Sequence, residues 1–204
     1  MELLLSGGGD PKDVVALDQF FVSRIDTQKP VLYIPVALER AAYAGALDWF
    51  SETYKPYGIT HIEICTDLNL APDLERFTAI FIGGGNTFKL LKEMQESGFD
   101  QKVVAYLKSD GFVYGGSAGS IIFGKSIKSA AYADENLVGL TDLAGLNMVG
   151  GRDIFCHYAT KDDEFIRHYD NDLYVLYEAS GLYVNGAEIE GIGQPYLNKN
   201  DITA

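Results

Sequence analysis

The sequence is poor in cysteine, in positive charge and in long apolar runs, and each shortage excludes a class of protein. Two cysteines, Cys65 and Cys156, are too few for a disulfide framework or a cysteine-built zinc site. Sixteen Lys and Arg stand against 29 Asp and Glu, a formal charge of −13. A surface of that sign repels nucleic-acid phosphates and anionic lipid, so neither is an expected partner. The opening stretch, Met1 to Asp10, has no basic segment and only three consecutive leucines. It reads neither as a signal peptide nor as a membrane span, and a cytoplasmic location is the expectation. Histidine is scarce too: His61, His157 and His168 are the whole supply.

What is present is a sequence with enough apolar mass to fold. Of 204 residues, 47% are apolar and 12% aromatic, enough to bury a full core, and residues 1–204 read as one domain without repeat or linker. Strand-like runs alternate with helical patterns, the signature of a mostly parallel sheet covered by helices. Glu2 to Ser6, Pro30 to Val36, Thr60 to Cys65, Thr78 to Ile82 and Phe112 to Tyr114 are the first five runs. Helical spacing links Val14, Val15, Leu17 and Phe21 behind an expected Asp10 cap with Pro11 at the first helical position. Further helices are expected over Glu39 to Tyr57, from Asn86 through Met94, over Phe99 to Leu107, and from Ala118. The later part predicts strands near Leu143 to Met148, Asp153 to Cys156, Leu173 to Tyr177 and Gly181 to Val184. It also predicts a helix from Lys161 to Tyr169 and a hairpin at Asn185-Gly186.

Chemistry concentrates where runs end in glycine. Gly115-Gly116-Ser117-Ala118-Gly119 is a G-x-S-x-G segment between a strand and a helix. Flanking glycines let the chain turn sharply and present the serine at the sheet's carboxyl edge. The Ala118 N–H, at the helix start, is placed to help bind an oxyanion, and Gly83-Gly84-Gly85-Asn86 offers a second N–H donor. Neither Gly7 nor Gly83 opens a G-x-G-x-x-G dinucleotide fingerprint. A serine needs a base. His157 follows a strand-like run and enters a polar loop, whereas His61 lies inside a strand pattern and His168 late in a charged helix. For the carboxylate that would orient the base, Asp134 and Glu135 lie in a loop between serine and histidine, and both stay open. Cys156 reads as a buried thiol.

Gly83-Gly84-Gly85-Asn86-Thr87-Phe88 with Leu90-Leu91, then Gly115 to Gly119, then His157-Tyr158, together resemble peptidase E, the aspartyl dipeptidase family S51, and more distantly cyanophycinase. The resemblance implies a three-layer α/β/α sandwich like the class I glutamine amidotransferases, flavodoxin-like in layout, with no metal or cofactor. It implies Ser117 as nucleophile, His157 as base, and Gly84, Gly85 and Ala118 as the oxyanion hole. Asn86, Tyr158, Arg152 and Arg167 form the expected substrate-binding set. In place of the family's basic segment after the histidine stands Thr160-Lys161-Asp162-Asp163-Glu164, which bears on Asp-X selection. The expected activity is hydrolysis of a small peptide. A non-catalytic ligand-binding role, or amide or ester hydrolysis, is the alternative, and the edge strands of such a sheet offer a pairing surface for a homodimer.

Overall fold

The structure is a computed structural model that describes residues 1–194 and 196–202. Five strands run parallel at its centre: β1 (Glu2–Ser6), β2 (Val31–Ile34), β3 (Ile62–Ile64), β4 (Ala79–Ile82) and β5 (Phe112–Gly116). Five more come later in the chain: β6 (Asp153–Phe155), β7 (Leu173–Val175), β8 (Ser180–Asn185), β9 (Glu188–Gly193) and β10 (Leu197–Asn198). The main sheet has the order β3-β2-β4-β5-β1-β8-β9, with β8 and β9 antiparallel to their neighbours. The other three strands make a small sheet, β10-β7-β6.

The helices are α1 (Val15–Ser23), α2 (Tyr43–Tyr54), α3 (Thr87–Ser97), α4 (Phe99–Lys108), α5 (Ala118–Ile121), α6 (Asp163–His168) and α7 (Lys199–Ile202). Successive strand residues point to opposite faces of the sheet, and the leucine run of β1 divides accordingly. Leu3 and Leu5 join a core with Leu91 and Met94 of α3 and Phe99 and Val103 of α4. Leu4 joins the other core, with Leu17 and Phe21 of α1 and Phe50 and Tyr54 of α2. Two helical layers therefore enclose one sheet, the three-layer α/β/α sandwich that the resemblance implies. Among the described residues no helix is long and apolar enough to cross a membrane.

Several elements differ from the sequence expectation. Helix α1 starts at Val15, because the Asp10 carbonyl accepts from the N–H groups of Asp13 and Val14 and closes a turn first. Leu143 to Met148 makes no strand. Its N–H groups at Gly145, Leu146, Asn147 and Met148 donate to carbonyls at Lys125, Ile122, Gly124 and Phe123, so it wraps the exit of α5. The hairpin at Asn185-Gly186 forms, with Gly186 at φ 62°.

Strand β1 brings distant loops together. It pairs with β5 on one side and β8 on the other. The loop after β1, the ends of β4 and β5 and the turn into β8 therefore meet at one sheet edge, where open α/β sheets place their sites.

Candidate active site

Ser117 connects β5 to α5 with φ 51° and ψ −110°. A positive φ is uncommon for a residue with a Cβ and stores roughly 1–3 kcal/mol of backbone strain. The turn is held from several sides. The Ser117 N–H donates to the Ser6 carbonyl at 3.1 Å, and α5 sits so close to β4 that a Cβ on Gly119 would lie 2.2 Å from the Ile82 carbonyl oxygen. The glycine at 119 is what lets the elbow lie flat on the sheet.

His157 follows β6 and also has a positive φ, 56°. Its N–H donates to the Gly7 carbonyl at 3.0 Å, which fixes the turn against the loop after β1. The ring bridges two partners: Nε2 lies 2.8 Å from Ser117 Oγ, and Nδ1 lies 3.0 Å from Glu178 Oε1. A carboxylate can only accept, so Nδ1 carries the proton and Nε2 is left to accept from the serine hydroxyl. The His157 and Glu178 side chains are both about half exposed.

Glu178 stands in the turn between β7 and β8, which corrects the expectation of Asp134 or Glu135. The Asp134 carboxylate accepts from the Thr87 N–H at 2.8 Å at the start of α3, and the Glu135 carbonyl accepts from Asn86 Nδ2 at 2.9 Å. Neither carboxylate hydrogen-bonds His157. The turn that carries Glu178 is tied to the loop after β1, since Ala179 N–H donates to the Gly8 carbonyl and Gly7 N–H to the Ser180 carbonyl. In the sequence, Glu178 ends the run Leu173 to Tyr177 as His157 ends the run Asp153 to Cys156. That position makes Glu178 a candidate, and the pairing of β6 with β7 is what selects it.

Gly84 approaches the serine from the loop after β4, and Gly85 lines both cavities beside it. A Cβ on Gly84 would lie 3.3 Å from Ser117 Cβ. The flanking N–H groups are engaged, Gly83 with the Ile34 carbonyl and Asn86 with the Ala37 carbonyl, both at 2.9 Å. Those of Gly84 and Gly85 make no hydrogen bond among the described residues.

The expected substrate-binding set lies elsewhere. Asn86 caps α3 by accepting from the Lys89 N–H. The Tyr158 hydroxyl donates to Asp163. Arg152 donates to Asn198 and lies over the Tyr174 ring, while Arg167 pairs with Asp163. All four are consumed in packing the small sheet and the α3 and α6 ends, and none lines the cavities beside Ser117. Cys156 is buried, its Sγ 3.8 Å from the carbonyls of Ser6 and Ser117, and burial pushes the thiol pKa well up, which leaves it inert. His61 is exposed just before β3, and His168 bonds the Glu164 carbonyl on α6.

Two cavities meet at Ser117 and His157. The larger, about 650 Å³, runs under α2 and is walled by Tyr33, Leu38, Ala46, Trp49 and Phe81. The smaller, about 440 Å³, lies toward α3 and holds Thr87, Lys161, Asp134 and Asp162.

A strained elbow serine, linked through one imidazole to a carboxylate at the strand ends of an α/β/α sandwich, is the arrangement of the nucleophile-elbow α/β proteins. The sequence profile of Peptidase family S51 matches residues 3–191, and the chain belongs to that family, a family of peptide hydrolases. An uncharacterized peptidase of Listeria monocytogenes is 28% identical over 144 residues, covering 68% of this chain and 70% of that one. Peptidase E of Salmonella newport is 28% identical over 123 residues, covering 59% of this chain and 54% of its own length. In structure, a candidate peptidase E of Listeria monocytogenes EGD-e aligns with a TM-score of 0.79 at 23% identity, over 95% of this chain and 98% of that one. A peptidase from an acI-B1 Actinobacterium aligns at 0.65 with 15% identity, over 97% and 93%. At those identities the structural likeness is one of fold.

Proposed function

We propose that the chain hydrolyses short peptides through an acyl-enzyme on Ser117. The observation that carries the reading is the hydrogen-bonded line Ser117 Oγ–His157 Nε2, His157 Nδ1–Glu178 Oε1, at 2.8 and 3.0 Å. In the proposed reaction His157 accepts the Ser117 proton as Oγ attacks the scissile carbonyl, and returns it to the leaving amine. Glu178 holds the imidazole in the tautomer that leaves Nε2 free and stabilises the imidazolium. The N–H groups of Gly84 and Gly85, which have no partner among the described residues, receive the developing oxyanion with that of Ala118 at the start of α5. Water then attacks the acyl carbonyl with His157 again as base. The two cavities either side of the serine suit the two halves of a dipeptide.

Aspartate selectivity, the Asp-X reading, finds little charge to support it. Among the described residues the larger cavity has no Lys or Arg in its lining, and the smaller sets Lys161 against Asp134 and Asp162. The proposed substrates are therefore short peptides with neutral or cationic side chains. The test is amino-acid release from a dipeptide panel by wild type and Ser117→Ala, together with labelling by a fluorophosphonate. Serine-dependent turnover and a stoichiometric adduct on Ser117 support the reading. Equal turnover by Ser117→Ala, with fold intact by circular dichroism, refutes it.

A further inference from the structure

The lining of the larger cavity includes a carboxylate that the proposed mechanism does not use. Asp18 lies on α1 and is 1% exposed, and it lines the cavity that opens onto Ser117 and His157. Its Oδ1 accepts from the Tyr54 hydroxyl at 2.7 Å and from the Tyr114 hydroxyl at 3.4 Å. Its Oδ2 makes no hydrogen bond among the described residues. No cationic side chain lines the cavity among those residues. A buried carboxylate is costly unless it is paired and hydrogen-bonded, so this one is half provided for by the protein and half left open.

The rest of the lining is largely apolar and aromatic. Leu38, Ala46 and Phe81 present apolar surface, and Trp49, 40% exposed, stands at the rim with Tyr33 and Tyr54 deeper in. Such a cavity favours an apolar stem that carries a positive head. The stem removes hydrocarbon from water, aromatic faces attract a cation, and the head meets Asp18 where little water competes. An acidic side chain in the same place would bring two carboxylates together with no cation between them.

We propose that Asp18 is a specificity-determining residue of this site, and that the larger cavity takes the lysine or arginine side chain of a short peptide substrate. This rests on the reading of Ser117, His157 and Glu178 as a peptidase site and adds the substrate class to it. Tyr54 and Tyr114 act as positioning residues, since their hydroxyls hold Oδ1 and leave Oδ2 to the substrate.

The experiment measures kcat/KM for X-Ala and Ala-X dipeptides, with X as Lys, Arg, Leu, Phe or Asp, in wild type and in Asp18→Asn. Both series are needed because either half of the dipeptide could enter the cavity. The expected result is a preference for Lys and Arg over Asp at one of the two positions. Asp18→Asn should lower that turnover by about tenfold or more while Leu at the same position changes by less than about threefold. Equal losses for Lys and Leu would reduce Asp18 to a structural anchor for the tyrosines and overturn the proposal, as would a wild-type preference for Asp at both positions.

Asp18→Asn is a buried change, so a surface pair keeps the test open if it misfolds. Gly45 of α2 borders the cavity, and a Cβ there meets nothing within 4 Å. Gly45→Lys should depress turnover of Lys and Arg substrates more than the similarly sized Gly45→Gln does, and equal effects would count against a cation subsite. Calorimetry with Ser117→Ala separates the two layers of inference. Binding of Lys- or Arg-containing dipeptides that Asp18→Asn weakens about tenfold or more supports the subsite even if turnover fails, in which case only the hydrolytic reading falls. No charge-dependent binding at either position overturns the subsite whatever the hydrolytic result.

Discussion

A Cβ placed on Gly8 would lie 2.1 Å from Cε1 of His157, so the loop after the first strand is shaped around the imidazole ring. Gly8 has φ 96°, which adds backbone strain for any other residue. Gly8→Ala should therefore displace the ring rather than unfold the protein. We expect kcat to fall on the order of 10²-fold, as for a catalytic group misplaced by about 1 Å, with a modest drop in Tm. Steady-state kinetics with thermal melting distinguishes this from simple destabilisation.

The two carboxylate candidates separate by mutation. Glu178→Gln keeps the shape but offers an amide to Nδ1, so kcat should fall by roughly 10²–10⁴-fold, with KM little changed. Asp134→Asn should leave kcat within about twofold and cost about 1 kcal/mol of stability, since its carboxylate accepts from the N–H of Thr87 at the start of α3. Kinetics and urea unfolding of both variants read the difference. An inactive Asp134→Asn beside an active Glu178→Gln would reverse the assignment.

Asp153 anchors the strand that leads to His157. It is fully buried and accepts from the Ser126 N–H and hydroxyl at 2.6 and 2.8 Å, the Tyr169 hydroxyl at 2.6 Å and Asn171 Nδ2 at 2.9 Å. Asp153→Ala strands those four donors in a dry site and should destabilise by about 3–5 kcal/mol. The measurement is the urea midpoint, and a shift worth less than about 1 kcal/mol would show that the donors find other partners.

Burial raises the Asp18 carboxyl from 3.8 to about 6, against the opposing hydrogen bonds from Tyr54 and Tyr114. Between those two pH values the folded chain keeps a proton that the unfolded chain has released. Stability attributable to Asp18 therefore falls as pH rises through that window and is level above it, a change of about 3 kcal/mol. Asn at position 18 does not titrate. The stability difference between wild type and Asp18→Asn should then move toward the variant from about pH 3.5 to 7, by roughly that amount. Unfolding curves at a series of pH values test it, and a pH-independent difference would place the carboxyl near its ordinary value.

The elbow was legible because it is local. A strand run, two glycines, a serine and a further glycine within Phe112 to Gly119 describe the turn almost without reference to the rest of the chain. His157 was reached by elimination among three histidines and by its position at the end of a strand run, and the structure brings it to Ser117. The cationic candidates Arg152 and Arg167 failed for the opposite reason. Charge type suggested them, but where a long side chain points depends on what it packs against, here Asn198 and Tyr174 for one and Asp163 for the other.

By itself the sequence determined the alternation of strands and helices, a mostly parallel sheet covered by helices and the serine elbow, because periodicity and glycine placement act over a few residues. Tertiary structure alone decided which carboxylate meets His157 and that Asp18 lies under the same cavity. The first depends on β6 pairing parallel with β7, which sets the residues after them side by side, and the second on α1 and α2 packing into one core over β1 and β5. Contacts between segments so far apart are set by the order of strands in the sheet, and no local pattern records that order.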